Sequence, residues 1–245
     1  MTFLSVVSMP VHARGVLLSE SDRTPVLGER SRPGSRASHD MAASDTAMMR
    51  RCIALARSSN SRGEYPFAAV IARHGEFICE SSNMARTERD LTRHAEMVAI
   101  SLAQKQLRST SLDNCTIYST VEPCAMCSYA IRESRIGRVV FGLRSPVMGG
   151  FSRWSILNDA GLSSILPEVF APPPDVLAGC LQHQVQKLFR KRNRLAWEFM
   201  KSRKIFVESS DLDQVQSSRS KARSTLWLGL ANAARTLLVD RVWRG

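Results

Sequence analysis

CTIYSTVEPCAMCSYAIRESRIGRVVF, residues 115–141, is the stretch whose reading decides the fold. Cys115 to Ser119 is a short β-branched and aromatic run that reads as a strand. Cys124 to about Glu133 has helical spacing, and Arg138 to Phe141 is a second apolar strand. Strand, helix and strand in so short a stretch are the unit of an α/β layered sheet. On the N-terminal side the turn Ser111-Leu-Asp-Asn114 follows a helical segment over residues 94–107, with Met97, Ile100 and Leu107 among its apolar positions. Before that, Pro66 to Arg73 and the run containing Phe77 and Cys79 flank His74-Gly75, which predicts a hairpin. Asp45 is expected to cap a first helix in which Met48, Cys52, Leu55 and Ala56 share one face.

After Phe141 the pattern becomes irregular through Pro146, Gly149-Gly150, Phe151 and Trp154, and Pro172-Pro-Pro174 stops any preceding element. Asp175 is expected to cap a long helix. Its later part buries Val185, Leu188, Phe189, Ala196, Phe199 and Met200 and turns Lys187, Arg190, Lys191, Arg194 and Lys201 outward. Residues 1–44 are rich in Ser, Arg, Gly and Pro and read as a disordered leader, with the domain proper over 45–207. Residues 208–223 read as a polar linker and 224–245 as a C-terminal amphipathic helix.

The chain has 245 residues, 44% of them hydrophobic and 23% charged, proportions that exclude wholesale disorder. No apolar run approaches the roughly 20 residues needed to span a bilayer, and the first residues lack the pattern of a secretory signal. A cytoplasmic protein with no membrane association is the expectation. The formal charge of +12 is unevenly spread: residues 171–207 hold eight basic against two acidic side chains. Such a local patch suits a polyanion. In a chain read as intracellular, the six cysteines point away from a disulfide framework, and the Cys124-x-x-Cys127 pair points to metal or redox chemistry.

The chemistry concentrates in His94-Ala-Glu96 and Glu122-Pro-Cys-Ala-Met-Cys127. One imidazole and two thiolates are three ligands suited to tetrahedral Zn2+, leaving a fourth position open for water, whose pKa zinc lowers towards about 7. Glu96, two residues beyond the histidine, is placed to move that water's proton. With both cysteines at a helix start, amide N–H groups and the helix dipole favour the thiolates.

H-x-E followed by P-C-x-x-C is the zinc deaminase signature. The chain resembles the cytidine deaminase-like superfamily from about Asp45 to Phe206, and within it the bacterial tRNA adenosine deaminases and the guanine and other free-base deaminases. Pro66-Phe-Ala-Ala-Val and Ser134 to Gly142 carry the likeness further, and Asn83 stands where the family places an asparagine that hydrogen-bonds the base. The resemblance implies a three-layer α/β/α fold with a central mixed sheet of about five strands, a homodimer, and backbone groups near Ala95 and Cys124 that orient the base. Two departures stand out: Leu91 replaces a usual proline, and Ser145 to Trp154 differs from the corresponding loop of the tRNA enzymes. With Phe151 and Trp154 expected to close over a small planar substrate, the reading favours a free nucleobase or nucleoside, with tRNA as the alternative. A silent fold that binds nucleic acid or a protein partner is disfavoured by the intact Glu96.

Overall fold

In a computed structural model describing residues 33–209, five strands form one sheet in the order β2-β1-β3-β4-β5. β1 (Ala68–Arg73) and β2 (Glu76–Ser82) are the expected hairpin. Its two turn residues, His74 and Gly75, have φ of 51° and 83°, the positive values that a twist-matched two-residue hairpin turn requires. β1 also pairs antiparallel with β3 (Cys115–Val121), whereas β3, β4 (Arg138–Leu143) and β5 (Asp175–Ala178) run parallel. The sheet is therefore mixed.

Strand alternation divides the core in two. Ala69, Ile71, Ile117, Val139 and Phe141 pack against α2 (Ala95–Leu107) and α3 (Ala125–Glu133). Val70, Ala72, Tyr118 and Val140 face the opposite way, onto α1 (Pro33–Ser61), α5 (Gln182–Arg192) and α6 (Arg194–Ser202). Two helical layers enclosing a sheet buried on both faces give the expected three-layer α/β/α architecture, in which parallel strands are apolar on both sides. No helix among the described residues is long and apolar enough to cross a membrane.

Three expectations are corrected. Asp45 does not cap α1: the helix begins at Pro33, so residues 33–44, expected to be disordered, are helical. That stretch lacks the apolar period that a sequence reading looks for. Asp45 is instead a buried anchor, its carboxylate accepting from Arg138 Nη1 at 2.6 Å, Arg138 Nη2 at 2.8 Å and Tyr118 Oη at 2.9 Å. Asp175 opens β5 rather than a helix, because Gly137 O accepts its N–H at 3.0 Å and Arg138 Nε binds its carboxylate at 2.9 Å. The single long helix is broken at Asn193, which caps α6 by accepting from the Ala196 N–H at 3.0 Å. In the irregular segment a 3₁₀ turn (Ile156–Asn158) and the short α4 (Ala160–Ile165) are gathered by buried Arg132, which donates to Ile156 O, Asp159 O, Ser163 Oγ and Ala171 O. The leader reading of residues 1–32, the linker reading from 210 and the helix at 224–245 lie outside the described residues.

Arg138 thus joins α1 to β5 through a carboxylate that is almost wholly buried. Removing Asp45 leaves the largely buried Arg138 guanidinium with only the exposed Asp175 and strips Tyr118 Oη of its acceptor, so Asp45→Ala is expected to cost about 3 kcal/mol in urea-unfolding free energy. A loss below about 1 kcal/mol would place the pair with ordinary surface ion pairs.

Candidate metal centre and substrate cavity

Two helix N-termini meet beside the sheet. His94 is the N-cap of α2, and Cys124 is the N-cap of α3 with Cys127 in its first turn. Neither side chain makes an N-cap hydrogen bond, which leaves both free to point at each other. Cys124 Sγ lies 3.6 Å from His94 Nδ1 and 3.6 Å from Cys127 Sγ, and Cys127 Sγ lies 3.5 Å from the same Nδ1. Bond lengths of about 2.0–2.1 Å to nitrogen and 2.3 Å to sulfur give a tetrahedron with edges of about 3.5–3.8 Å, so the donor set fits zinc. Among the described residues these three form the one cluster able to hold a metal. The S–H of Cys127, then His94, lowers the Cys124 thiol to about 4, and the bond to Cys124 raises His94. Each shift favours a thiolate at the helix start.

Glu96 is in the second position of α2, buried, with Oε1 accepting from Ser119 Oγ at 2.8 Å and Oε2 3.6 Å from Cys127 Sγ. Burial, then the negative charge of Cys124, raises its pKa above the ordinary carboxylate value, as a group that must both take and return a proton requires. Sequence reasoning alone misses Ser119; its one signal is a polar residue in an otherwise apolar strand.

His94, Glu96, Cys124 and Asn83 line one cavity of about 400 Å³, with Phe206 and Met148 on its walls and the exposed Arg86 and Arg89 at its rim. Asn83 follows β2, held by its N–H to Phe67 O at 2.9 Å and by Nδ2 to Glu64 at 2.9 Å. Ala95 is buried behind His94 at the start of α2 and is not part of the wall. Phe151 and Trp154 are also outside it: Phe151 packs on the α2/α3 side of the core and Trp154 is 54% exposed.

The reason is Glu122, whose role is not legible from sequence. Its buried carboxylate accepts from the N–H groups of Ser145, Phe151 and Ser152 and from Ser152 Oγ, at 2.6–3.0 Å. Gly149 pairs with Cys124 and Gly150 N–H donates to Pro123 O at 2.8 Å. A Cβ on Gly149 would fall on the Glu122 carboxylate, and one on Gly150 on Ser128 Oγ. Drawn down in this way, the loop offers Met148 to the cavity and carries its aromatics past it.

The profile describing the cytidine and deoxycytidylate deaminase zinc-binding region matches residues 42–143. A tRNA-specific adenosine deaminase of Bacillus subtilis is 36% identical over 140 residues, 57% of this chain and 83% of that one. The chain belongs to the cytidine and deoxycytidylate deaminase zinc-binding family. A chloroplastic tRNA(adenine(34)) deaminase of Arabidopsis thaliana is 34% identical over 132 residues, 54% of this deaminase-family chain but only 10% of the relative's length. A solved structure from a study of A-to-I editing by tRNA:A34 deaminases superposes with a TM-score of 0.52 at 31% identity, covering 58% of this chain and 99% of that one. Zinc is the family's metal, and the cysteine and histidine donors here fit it.

Protein prepared without chelator is expected to carry about one zinc per chain by elemental analysis. Cys124→Ser and His94→Ala should lose most of it, whereas Glu96→Gln should retain it. Full zinc in both ligand variants would move the metal elsewhere.

Proposed function

We propose that the chain is a hydrolytic deaminase of adenosine in tRNA, converting adenosine and water to inosine and ammonia. The observation that carries the reaction is the buried Glu96 beside the His94–Cys124–Cys127 cluster in one cavity. Zinc, when bound, supplies a water acidic enough to lose its proton near neutral pH. Glu96, oriented by Ser119, would accept a proton from that water and pass it to the ring nitrogen of the amidine, and would then carry the proton of the added hydroxyl to the amino group, which leaves as ammonia while the carbonyl of inosine forms. The apolar walls at Phe67 and Phe206 and the side-chain amide of Asn83 hold the nucleoside.

The substrate is drawn from the tRNA-specific relatives. A preference for a free base would need Phe151 and Trp154 to close the cavity, and both stand outside its wall. Arg86 and Arg89 at the rim, with exposed Lys187, Arg190 and Lys191 on α5, suit a polynucleotide that continues beyond the target base. A homodimer accompanies this reading by resemblance.

Incubation with an anticodon stem-loop carrying adenosine at the wobble position should yield inosine by sequencing. Affinity should fall steeply as salt rises, because phosphate contacts release counterions. Ammonia from a free base or nucleoside, with no inosine in the RNA, would restore the small-substrate alternative.

A further inference from the structure

Glu64 is 1% exposed, lines the cavity, and has no part in the proton transfer described above. Its Oε1 accepts from Thr87 N–H at 2.7 Å and Thr87 Oγ1 at 2.5 Å, and its Oε2 accepts from Asn83 Nδ2 at 2.9 Å. Burial opposes its charge, but the Thr87 hydroxyl and amide and the Asn83 amide together hold its pKa below the ordinary value. An ionised carboxylate only accepts hydrogen bonds, so Asn83 can meet it solely through Nδ2. The amide is thereby fixed one way round. Its Oδ1 takes no hydrogen bond from the protein among the described residues, in a cavity shared with Glu96.

The segment that carries Glu64 is itself pinned. Arg192, near the end of α5, donates to Asn60 Oδ1 at 2.6 Å, to Gly63 O at 2.9 Å and to Glu64 O, and its guanidinium lies 4.6 Å from the Tyr65 ring centre. The carboxylate is therefore delivered to Asn83 by a rigid turn, at Gly63 with φ of 83°.

We infer that Glu64 is a positioning residue that sets the polarity of substrate recognition: it orients Asn83 so that Oδ1 accepts from an N–H or O–H donor of the nucleoside. The inference rests on the deaminase reading for its kinetic consequence, though not for the orientation itself. In Glu64→Gln the new amide keeps its oxygen on the Thr87 donors, so its NH2 faces Asn83 and forces the flipped orientation, with Nδ2 towards the cavity. A substrate donor then meets a donor. In the double variant Glu64→Gln/Asn83→Asp, the amide introduced at position 64 donates to one oxygen of the carboxylate introduced at position 83, and the other oxygen stands in place of Oδ1. Charge has been exchanged between the two positions, and the acceptor is restored. Asn83→Asp alone sets two carboxylates against each other.

Steady-state kinetics with the anticodon stem-loop, on full-length zinc-loaded protein, tests the consequence. Glu64→Gln is expected to lose roughly tenfold to a hundredfold in kcat/KM, mainly through KM, with zinc content and Tm unchanged. Asn83→Asp should lose at least as much, and the double variant should return to within a few-fold of wild type. A double variant no better than either single, or a Glu64→Gln enzyme with wild-type KM, overturns the inference. Orientation is read separately from the Asn83 side-chain amide in 15N–1H spectra. In wild type it should be shifted and protected from exchange, and in Glu64→Gln it should exchange freely. An unprotected amide in wild type would equally overturn it. Because that spectrum needs no turnover, an enzyme that deaminates nothing would sink the functional reading while the amide still decides the orientation.

Discussion

Everything in the site depends on two helix N-termini being brought together so that one imidazole and two cysteine sulfurs stand about 3.6 Å apart. The α3 N-terminus and the Cys127 S–H favour an anionic Cys124 sulfur before any cation arrives, while Cys127 keeps its proton until a cation displaces it. The sheet makes this convergence possible. β1 and β3 lie side by side, α2 and α3 pack on the same face, and Ser119 on β3 reaches Glu96 on α2. The ligands are therefore placed by backbone elements rather than by mobile loops, which keeps their geometry stiff.

Around that centre, carboxylates act as clamps rather than as reactants. Glu122 gathers four donors from residues 145–152 and presses two glycines against the Cys124 turn. Glu64 gathers three donors from Thr87 and Asn83 on the other side of the cavity. Asp45 performs the same service further out, fixing α1 to β3 and β4. Each is buried and satisfied, the condition under which an internal charge specifies a structure instead of weakening it.

Strands β1 to β4, the hairpin turn and the three clustered candidate donors were legible because each follows a local rule. Alternation marks a strand, His74-Gly75 marks a turn, and H-x-E with C-x-x-C marks a ligand set. What escaped the sequence was long-range. Asp45 looks like a cap until Arg138 is seen to reach it across 93 residues. Asp175 looks like another until the free edge of β4 claims its N–H through Gly137. Phe151 and Trp154 look like a lid because bulky aromatics follow a glycine pair, but Glu122 fixes the loop's path and sends them elsewhere. The residues that shape the cavity, Glu64 and Glu122, are single acids without a period. No pattern announces a carboxylate whose donors are backbone amides more than twenty residues away.

The central claim is an open zinc centre built from one nitrogen and two sulfur donors. X-ray absorption at the zinc edge on the full-length protein tests it most directly. The account predicts two sulfur scatterers at about 2.3 Å and two light-atom scatterers at about 2.0–2.1 Å, one from His94 and one exchangeable. A shell of four sulfurs, or one filled entirely by protein donors, would describe a closed structural site and contradict it.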